Sequence, residues 1–149
     1  MNMNMKVAVG LGCDRGTPLA TLQHALGAAL AQAGAHVEQV VAAASITLKA
    51  DEPGLLALAA EHGWTMAFYA PTQLAGVQVP NPSETVRRYT GTPSVSEAAA
   101  LLAGARVFGH EQALPMTALL VEKFKHRGAD GRNATVSIAR CDSFLFPQP

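Results

Sequence analysis

A glycine-rich turn near the start of the chain is the segment best suited to approach a ligand. Glycines let the backbone come close to a bound group, and the free N–H groups of a following helix attract phosphate or carboxylate. The spacing is not that of a dinucleotide fingerprint, and the turn lacks the lysine of a P-loop. A tight turn that binds nothing explains the same residues equally well. The candidate ligand-binding residues here are Gly10, Gly12, Cys13, Arg15, Gly16 and Thr17.

Cys13 has two interpretations within that turn. A helix N-terminus and the neighbouring Arg15 are features that make a thiol nucleophilic. No partner histidine is identifiable, however, and a catalytic cysteine needs a base. We therefore favour a small buried thiol that fits the turn.

A second polar cluster spans residues 45–54 and adds Ser45 and Lys49 to the candidate binding residues. Lys49 is suited to binding an anionic group. Glu52 is suited to general acid or base catalysis, or to pairing with Lys49. Capping explains the acidic residues here in part. It does not explain Lys49, because a lysine near a helix start is electrostatically unfavourable.

A third cluster spans residues 91–98 and contains Glu97. A glutamate in the first helical turn suits the helix dipole, and this interpretation is the better one for Glu97 alone. A buried glutamate facing a cleft would instead act as a general acid or base. Glu52 and Glu97 are therefore the candidate catalytic residues, and both are also counted as candidate ligand-binding residues.

Hydrophobic periodicity predicts strands that alternate with helices. A strand is predicted at residues 6–11, followed by a helix with Pro18 in its first turn and Gly34 as its stop. Residues 37–46 are expected to be extended, and residues 65–69 form another predicted strand. The predicted helix N-caps are Thr17, Asp51, Ser83 and either Ser94 or Ser96.

The end of the chain predicts an antiparallel hairpin. Residues 119–125 and 134–140 alternate in polarity, and the turn between them contains Asp130-Gly131. The tail from Cys141 onward is expected to lie loose or to pack late. We therefore predict one three-layer α/β/α domain over residues 1–149, with a mixed sheet that is parallel early and antiparallel at the end.

This architecture predicts that the three polar clusters meet. Ligands of α/β sheets bind beside the carboxyl edge of the parallel strands. We expect one cleft there that carries Arg15, Lys49, Glu52 and Glu97.

Composition excludes several classes of protein. The chain has 11 basic and 11 acidic residues, so it lacks the positive surface that nucleic-acid binding by bulk electrostatics needs. No apolar run reaches ~20 residues, which argues against a membrane span. The five histidines show no metal spacing, and two cysteines make no disulfide framework. We expect a cytoplasmic protein without a metal or cofactor. Because only 15% of residues are charged, we expect part of the surface to be covered in a homo-oligomer or by a partner.

A basic patch near the hairpin is interpreted as a solvated strand edge, where lysine discourages aggregation. Its residues are Lys123, Lys125, His126 and Arg127.

The sequence resembles the family that includes CobE and the C-terminal domain of CbiG, proteins of cobalamin (vitamin B12) biosynthesis. The matching stretches are GLGCDRGT, ASITLKADEPGLLALA, PNPSETVRRYTGTPSVSEAAAL, LLVEKFK and ATVSIAR. One departure is Asp14, which stands where the family leads us to expect a basic residue. The resemblance implies a precorrin ligand, whose acetate and propionate groups suit helix N-termini, Arg15 and Lys49.

The resemblance leaves three functions open. The first is a protein that binds or carries a precorrin intermediate, with or without assisting its processing. The second is a hydrolase that opens a lactone on a precorrin, with Glu52 or Glu97 as general base on water. The third is an interaction module for other enzymes of the pathway.

Overall fold

A valine-rich strand, β1, occupies the middle of a five-stranded sheet in the computed structural model, which describes residues 4–142. Cys141, where the predicted tail begins, is 3% exposed and its N–H donates to the Lys6 carbonyl at 2.9 Å, while residues 143–149 fall outside the described part of the chain. The strands are β1 (Val7–Cys13), β2 (Val40–Ile46), β3 (Ala67–Tyr69), β4 (Leu119–Arg127) and β5 (Asn133–Arg140). The α-helices are α1 (Leu19–Ala33), α2 (Pro53–His62), α3 (Pro71–Ala75), α4 (Glu84–Thr90) and α5 (Val95–Arg106). Short 3-10 turns occur at Val37–Gln39, Thr47–Lys49 and Met116–Ala118.

The strand order is β3-β2-β1-β5-β4. Strands β1, β2 and β3 are parallel, whereas β5 runs antiparallel to both β1 and β4. In the middle of the sheet, Val9 of β1 pairs with Ala43 on one side and Ile138 on the other. This topology confirms the predicted mixed sheet and its C-terminal hairpin.

Two apolar layers cover the two faces of the sheet. On one face Val7, Val9 and Leu11 of β1 are fully buried in a cluster that includes leucines of α1 and α2. On the other face Ala8 of β1 belongs to a cluster built around α5. Because side chains alternate along a strand, the sequence of β1 directs its large residues to one layer and its small ones to the other.

Helix α5 approaches the sheet unusually closely. A Cβ atom built on Gly10 would lie 1.9 Å from the carbonyl oxygen of Ser96, so only glycine fits there. The helix is rich in alanine, and all of its residues except the last are buried. Gly10 is therefore a packing residue that lets α5 lie against β1, which sets the position of the α5 N-terminus at the carboxyl edge of the sheet.

The helix starts differ from prediction at two of the predicted caps. Thr17 is not the N-cap of α1, because Pro18 occupies that position and the Thr17 hydroxyl donates instead to the Asp14 carbonyl at 2.7 Å. Asp51 is not the N-cap of α2, which begins after Glu52. Both side chains instead make contacts in the turns that precede the helices.

Two other predicted starts are correct. Ser83 caps α4 by accepting a hydrogen bond from the backbone N–H of Val86, and Ser94 is the residue before α5. The Ser94 hydroxyl itself makes no cap hydrogen bond.

Candidate functional site

A cleft of about 370 Å³ lies beyond the carboxyl ends of β1 and β2. Gly12 and Cys13 of β1 form its floor together with Thr135 of β5, and Val95 and Ser96 bring the first turn of α5 to it. This is the edge of an α/β sheet at which ligands bind. Of the residues expected there, Gly12, Cys13 and Lys49 line this cleft, whereas Arg15, Glu52 and Glu97 do not.

Positive charge is concentrated at this cleft. Three of the four lysines in the chain line it: Lys49, Lys123 and Lys125. Within residues 4–142, neither Lys49 nor Lys125 forms a salt bridge, and the Nζ of Lys123 donates to the carbonyl oxygen of Asn81 at 3.3 Å. The cleft therefore offers ammonium groups that are not neutralised by carboxylates of the described chain.

Asp14 is the only acidic residue among those that line the cleft. Its Oδ2 accepts hydrogen bonds from the backbone N–H and the side-chain amide of Asn133, at 2.8 and 3.1 Å. This acid, which departs from the basic residue expected in the family, joins the β1–α1 turn to the first residue of β5. The Asp14 carboxylate therefore stabilises the contact between this turn and β5.

Gly12 keeps the floor of the cleft open. A Cβ atom built there would meet only Val95 and Thr135, at ordinary distances of 3.9 and 4.0 Å. Nothing in the surrounding packing requires glycine at this position, in contrast to Gly10. The missing side chain instead leaves space between α5 and β5, where a ligand can approach the backbone.

Cys13 lies half-buried in the same floor. Burial raises the pKa of its thiol to about 11, because a thiolate is poorly solvated there, and the charge of Lys49 opposes this rise. The thiol is thus protonated at neutral pH. This supports the interpretation of Cys13 as a small buried thiol over that of a nucleophile.

Arg15 lies outside the residues that line the cleft. Its Nη1 contacts Asp51 at 2.7 Å and Glu52 at 3.0 Å, and its Nη2 donates to the carbonyl of Leu48. The hydrogen bond from Arg15 lowers the pKa of Asp51, as expected for a carboxylate beside a cation. The guanidinium therefore joins the turn before α1 to the turn before α2.

Glu52 completes this connection and is not exposed in the cleft either. Its side chain is 2% exposed, and Oε1 accepts a hydrogen bond from the backbone N–H of Gly16 at 2.9 Å. Gly16 has a φ of 77°, which favours glycine. Both oxygens of the predicted general base are thus occupied by contacts within the protein.

Three further candidates have partners inside the fold. Ser45 donates from Oγ to the carbonyl of Leu11 at 2.6 Å, which joins β2 to β1. Thr17 is buried in the turn, and Gly10 packs against α5. None of these three lines the cleft.

Glu97 lies behind the cleft wall. It is completely buried, one residue beyond the lining residue Ser96. Oε2 accepts from the side-chain amide of Asn81 at 2.6 Å, and Oε1 accepts from the backbone N–H of Asn81 at 3.3 Å. Among the three predicted helix starts, that of α5 reaches the cleft through Val95 and Ser96, whereas those of α1 and α2 do not.

Sequence reasoning missed Lys123, Lys125 and Tyr89 as cleft residues. The lysines do lie on an edge strand, as predicted, but they also border the cleft. Their i,i+2 spacing was the available signal, because it places both on one face of β4. Tyr89, in α4, lies at the mouth with 79% of its surface exposed.

These features define an α/β protein with a lysine-lined cleft at the carboxyl edge of a mixed sheet. The chain belongs to the family described as cobalamin synthesis G C-terminus, whose model matches residues 7–139. The resemblance that the motifs indicated is thereby confirmed, and the chain is a member of a family of cobalamin biosynthesis proteins.

Two named relatives each match about two thirds of this chain. A protein named cobalt-precorrin-5A hydrolase from Priestia megaterium is 41% identical over 96 residues, which are 64% of this chain and 26% of that protein. Protein CobE from Sinorhizobium sp is 37% identical over 102 residues, 67% of this chain and 66% of that protein. The chain therefore matches about a quarter of the first relative and just under two thirds of the second.

A solved structure supports the fold. The crystal structure of CobE, a protein from the cobalamin biosynthetic pathway, matches with a TM-score of 0.72 and 32% identity over 99% of this chain and 96% of that one.

Two further observations concern residues 4–142 alone. Every helix there is too short or too polar to cross a bilayer, and no three His, Cys, Asp or Glu side chains are grouped as they would be around a metal ion.

Proposed function

We propose that the cleft binds a precorrin-type tetrapyrrole through its carboxylates. The observation that carries this proposal is the gathering of Lys49, Lys123 and Lys125 around a cleft whose one acid is held by Asn133. Precorrins are fringed with acetate and propionate groups, for which ammonium groups are suitable partners. Membership of a cobalamin biosynthesis family supports this substrate class.

The dimensions of the cleft favour binding of one edge of the macrocycle. Its volume of about 370 Å³ is near the lower end of the roughly 300–1,000 Å³ found for drug-sized ligands. A precorrin is larger than such a ligand, so part of the ring remains outside. There the exposed ring of Tyr89 offers an aromatic face on which a conjugated macrocycle stacks.

Charge and apolar contact must act together in this arrangement. An ion pair near the surface contributes about 0.2–1 kcal/mol, so three lysines supply up to about 3 kcal/mol, or roughly a hundredfold in affinity. That is too little for a tight complex. Contacts of the ring with Val86, Tyr89 and Val95 must supply the remainder.

A binding assay with a matched lysine control tests the proposal. Uroporphyrin, a stable tetrapyrrole with the same kind of carboxylate fringe, serves as the probe in gel filtration followed by absorbance. We expect it to co-elute with the wild type and with Lys6→Met, the one lysine outside the cleft, and to bind Lys49→Met several-fold more weakly. Equal loss in both variants, or no binding by the wild type, would contradict the proposal.

Hydrolysis is a second candidate, favoured by the similarity to the relative named cobalt-precorrin-5A hydrolase. The contacts of Glu52 and Glu97 within the fold argue against either one as the general base. Separate replacement of each by Gln, with turnover and ligand retention both measured on a cobalt-precorrin, tests the candidate. Turnover lost with retained binding would favour the enzyme.

Binding of other cobalamin-pathway enzymes, self-association and a cytoplasmic location stay predictions. Sizing at several concentrations, alone and with a pathway enzyme, tests the first two.

A further inference from the structure

We propose that Glu97 is a positioning residue that holds Lys123 in the cleft through Asn81. The linkage between these residues stands on the geometry alone, while the identity of the ligand that Lys123 meets rests on the proposed function. This role differs from both interpretations of Glu97 given by its sequence, which are a favourable charge in the first helical turn and a general acid or base.

The first link is a pair of hydrogen bonds from Asn81 to Glu97. Glu97 is 0% exposed, and its two carboxylate oxygens accept hydrogen bonds from the backbone N–H and the side-chain amide of the same residue, at 3.3 and 2.6 Å. Two bonds from one carboxylate to one residue restrain both the position and the rotation of that residue. A buried carboxylate also makes stronger hydrogen bonds than a neutral acceptor does.

The second link joins Asn81 to strand β4. The Nζ of Lys123 donates to the Asn81 carbonyl oxygen at 3.3 Å, and the Asn81 side-chain amide donates to Glu122 Oε1 at 3.0 Å. Asn81 therefore contacts two successive residues of the edge strand and the first turn of α5. The ammonium group of Lys123 has its position set by a carbonyl that Glu97 holds in place.

The local sequence makes Asn81 a stiff connector. Pro80 and Pro82 flank it, and proline fixes its own φ while restricting the residue before it. The adjacent helix α4 is held separately, because the Ser83 N–H donates to the Pro93 carbonyl at 2.9 Å. Loss of the Glu97 contact is therefore expected to release Lys123 more than it displaces α4.

Glu97 acts on Lys123 through Asn81 and not through an ion pair. No lysine, arginine or histidine forms a salt bridge with Glu97 in the described part of the chain. Asn81 lies between the two side chains, since it donates to the Glu97 carboxyl oxygens and accepts from the Lys123 ammonium group. Lys123 can thus be oriented by Glu97 while remaining available to an anion in the cleft.

Lysine labelling tests the linkage without any ligand. The folded protein is pulsed with an amine-reactive acyl ester, and labelling of Lys123 and Lys125 is compared within the same molecules by tandem mass spectrometry. We expect the ratio of Lys123 to Lys125 labelling to rise roughly fivefold in Glu97→Gln, as loss of about one hydrogen bond implies. Asn81→Ala, at an exposed residue, should give the same rise and decides the result if Glu97→Gln does not fold. An unchanged ratio in the folded variants would overturn the proposal.

Binding of uroporphyrin adds a second measurement through a double-mutant cycle. Asn81→Ala should weaken binding in the wild-type background and have no further effect in Lys123→Met. An equal loss in both backgrounds would overturn the positioning role. Failure of the wild type to bind uroporphyrin would overturn the proposed function, and the labelling ratio would still decide the role of Glu97.

Discussion

The carboxylate of Glu52 and the backbone N–H of Gly16 form a 2.9 Å hydrogen bond that joins two turns lying 36 residues apart in the chain. The second carboxylate oxygen receives Arg15 at 3.0 Å. Glu52 and Arg15 therefore hold the β1–α1 turn against the start of α2.

Glu52→Ala should lower stability, because it leaves the Gly16 N–H and Arg15 without their buried acceptor. A loss of about 1–3 kcal/mol is expected, which corresponds to several degrees in Tm. Thermal unfolding followed by circular dichroism measures it. Asp51→Asn is the control, since Asp51 contacts the same guanidinium from an exposed position and its replacement should leave Tm nearly unchanged. Equal Tm losses in both variants would contradict the structural role of Glu52.

Gly10 and Gly12 should respond differently to the same substitution. Gly10→Ala places a methyl group against the Ser96 carbonyl and should cost at least about 1–3 kcal/mol of stability, because backbone must move. The methyl group of Gly12→Ala fits without displacing its neighbours, so the variant should fold normally. The same methyl group should weaken uroporphyrin binding, because it fills the cleft floor. Chemical denaturation together with ligand titration separates the two effects. A stable Gly10→Ala protein would show that α5 lies further from β1 than we describe.

Lys49 should control the reactivity of Cys13. The pKa of the Cys13 thiol is about 11, and Lys49 favours the thiolate. Removing that charge in Lys49→Met raises the thiol pKa further, so alkylation of Cys13 by iodoacetamide at a fixed pH below 11 should become slower. Peptide mass spectrometry follows the reaction, with Lys125→Met for comparison. Faster alkylation in Lys49→Met would contradict the arrangement of these two residues.

Tyr89 should distinguish planar ligands from other polycarboxylates. Tyr89→Leu is expected to weaken uroporphyrin binding by a few-fold to about tenfold, as loss of aromatic stacking implies. Tyr89→Phe should bind nearly as the wild type does. Citrate, which carries carboxylates without a conjugated ring, should bind both variants with equal affinity when it is titrated alone. Isothermal titration provides the affinities, and equal uroporphyrin affinity in Tyr89→Leu and Tyr89→Phe would remove Tyr89 from the binding surface.

The sequence predicts the layers of the fold because their signal is local. Alternation in β1, the leucine spacing of α1 and the hairpin pattern each depend on residues close together in the chain. The position of the cleft also follows, because parallel strands end at a common edge. These parts of the fold required no knowledge of long-range contacts.

Local patterns could not predict which charged side chains line the cleft and which ones pair within the fold. Arg15 meets Asp51 across 36 residues, and Glu97 meets Asn81 across 16. Local reasoning placed both Arg15 and Glu97 in the cleft, because charged residues at helix starts suit a ligand as well as a fold. For the lysines of β4, the i,i+2 spacing indicates a shared face of the strand, but no local pattern indicates that this face borders the cleft.

The dependence of uroporphyrin affinity on salt, with and without the cleft lysines, tests the central claim most directly. For the wild type we expect Kd to rise steadily with salt concentration, because exposed ion pairs are screened. The triple variant Lys49→Met, Lys123→Met, Lys125→Met should bind at least tenfold more weakly at low salt and change little as salt is added. A folded triple variant with the affinity and salt dependence of the wild type would show that the anionic ligand does not bind in this cleft.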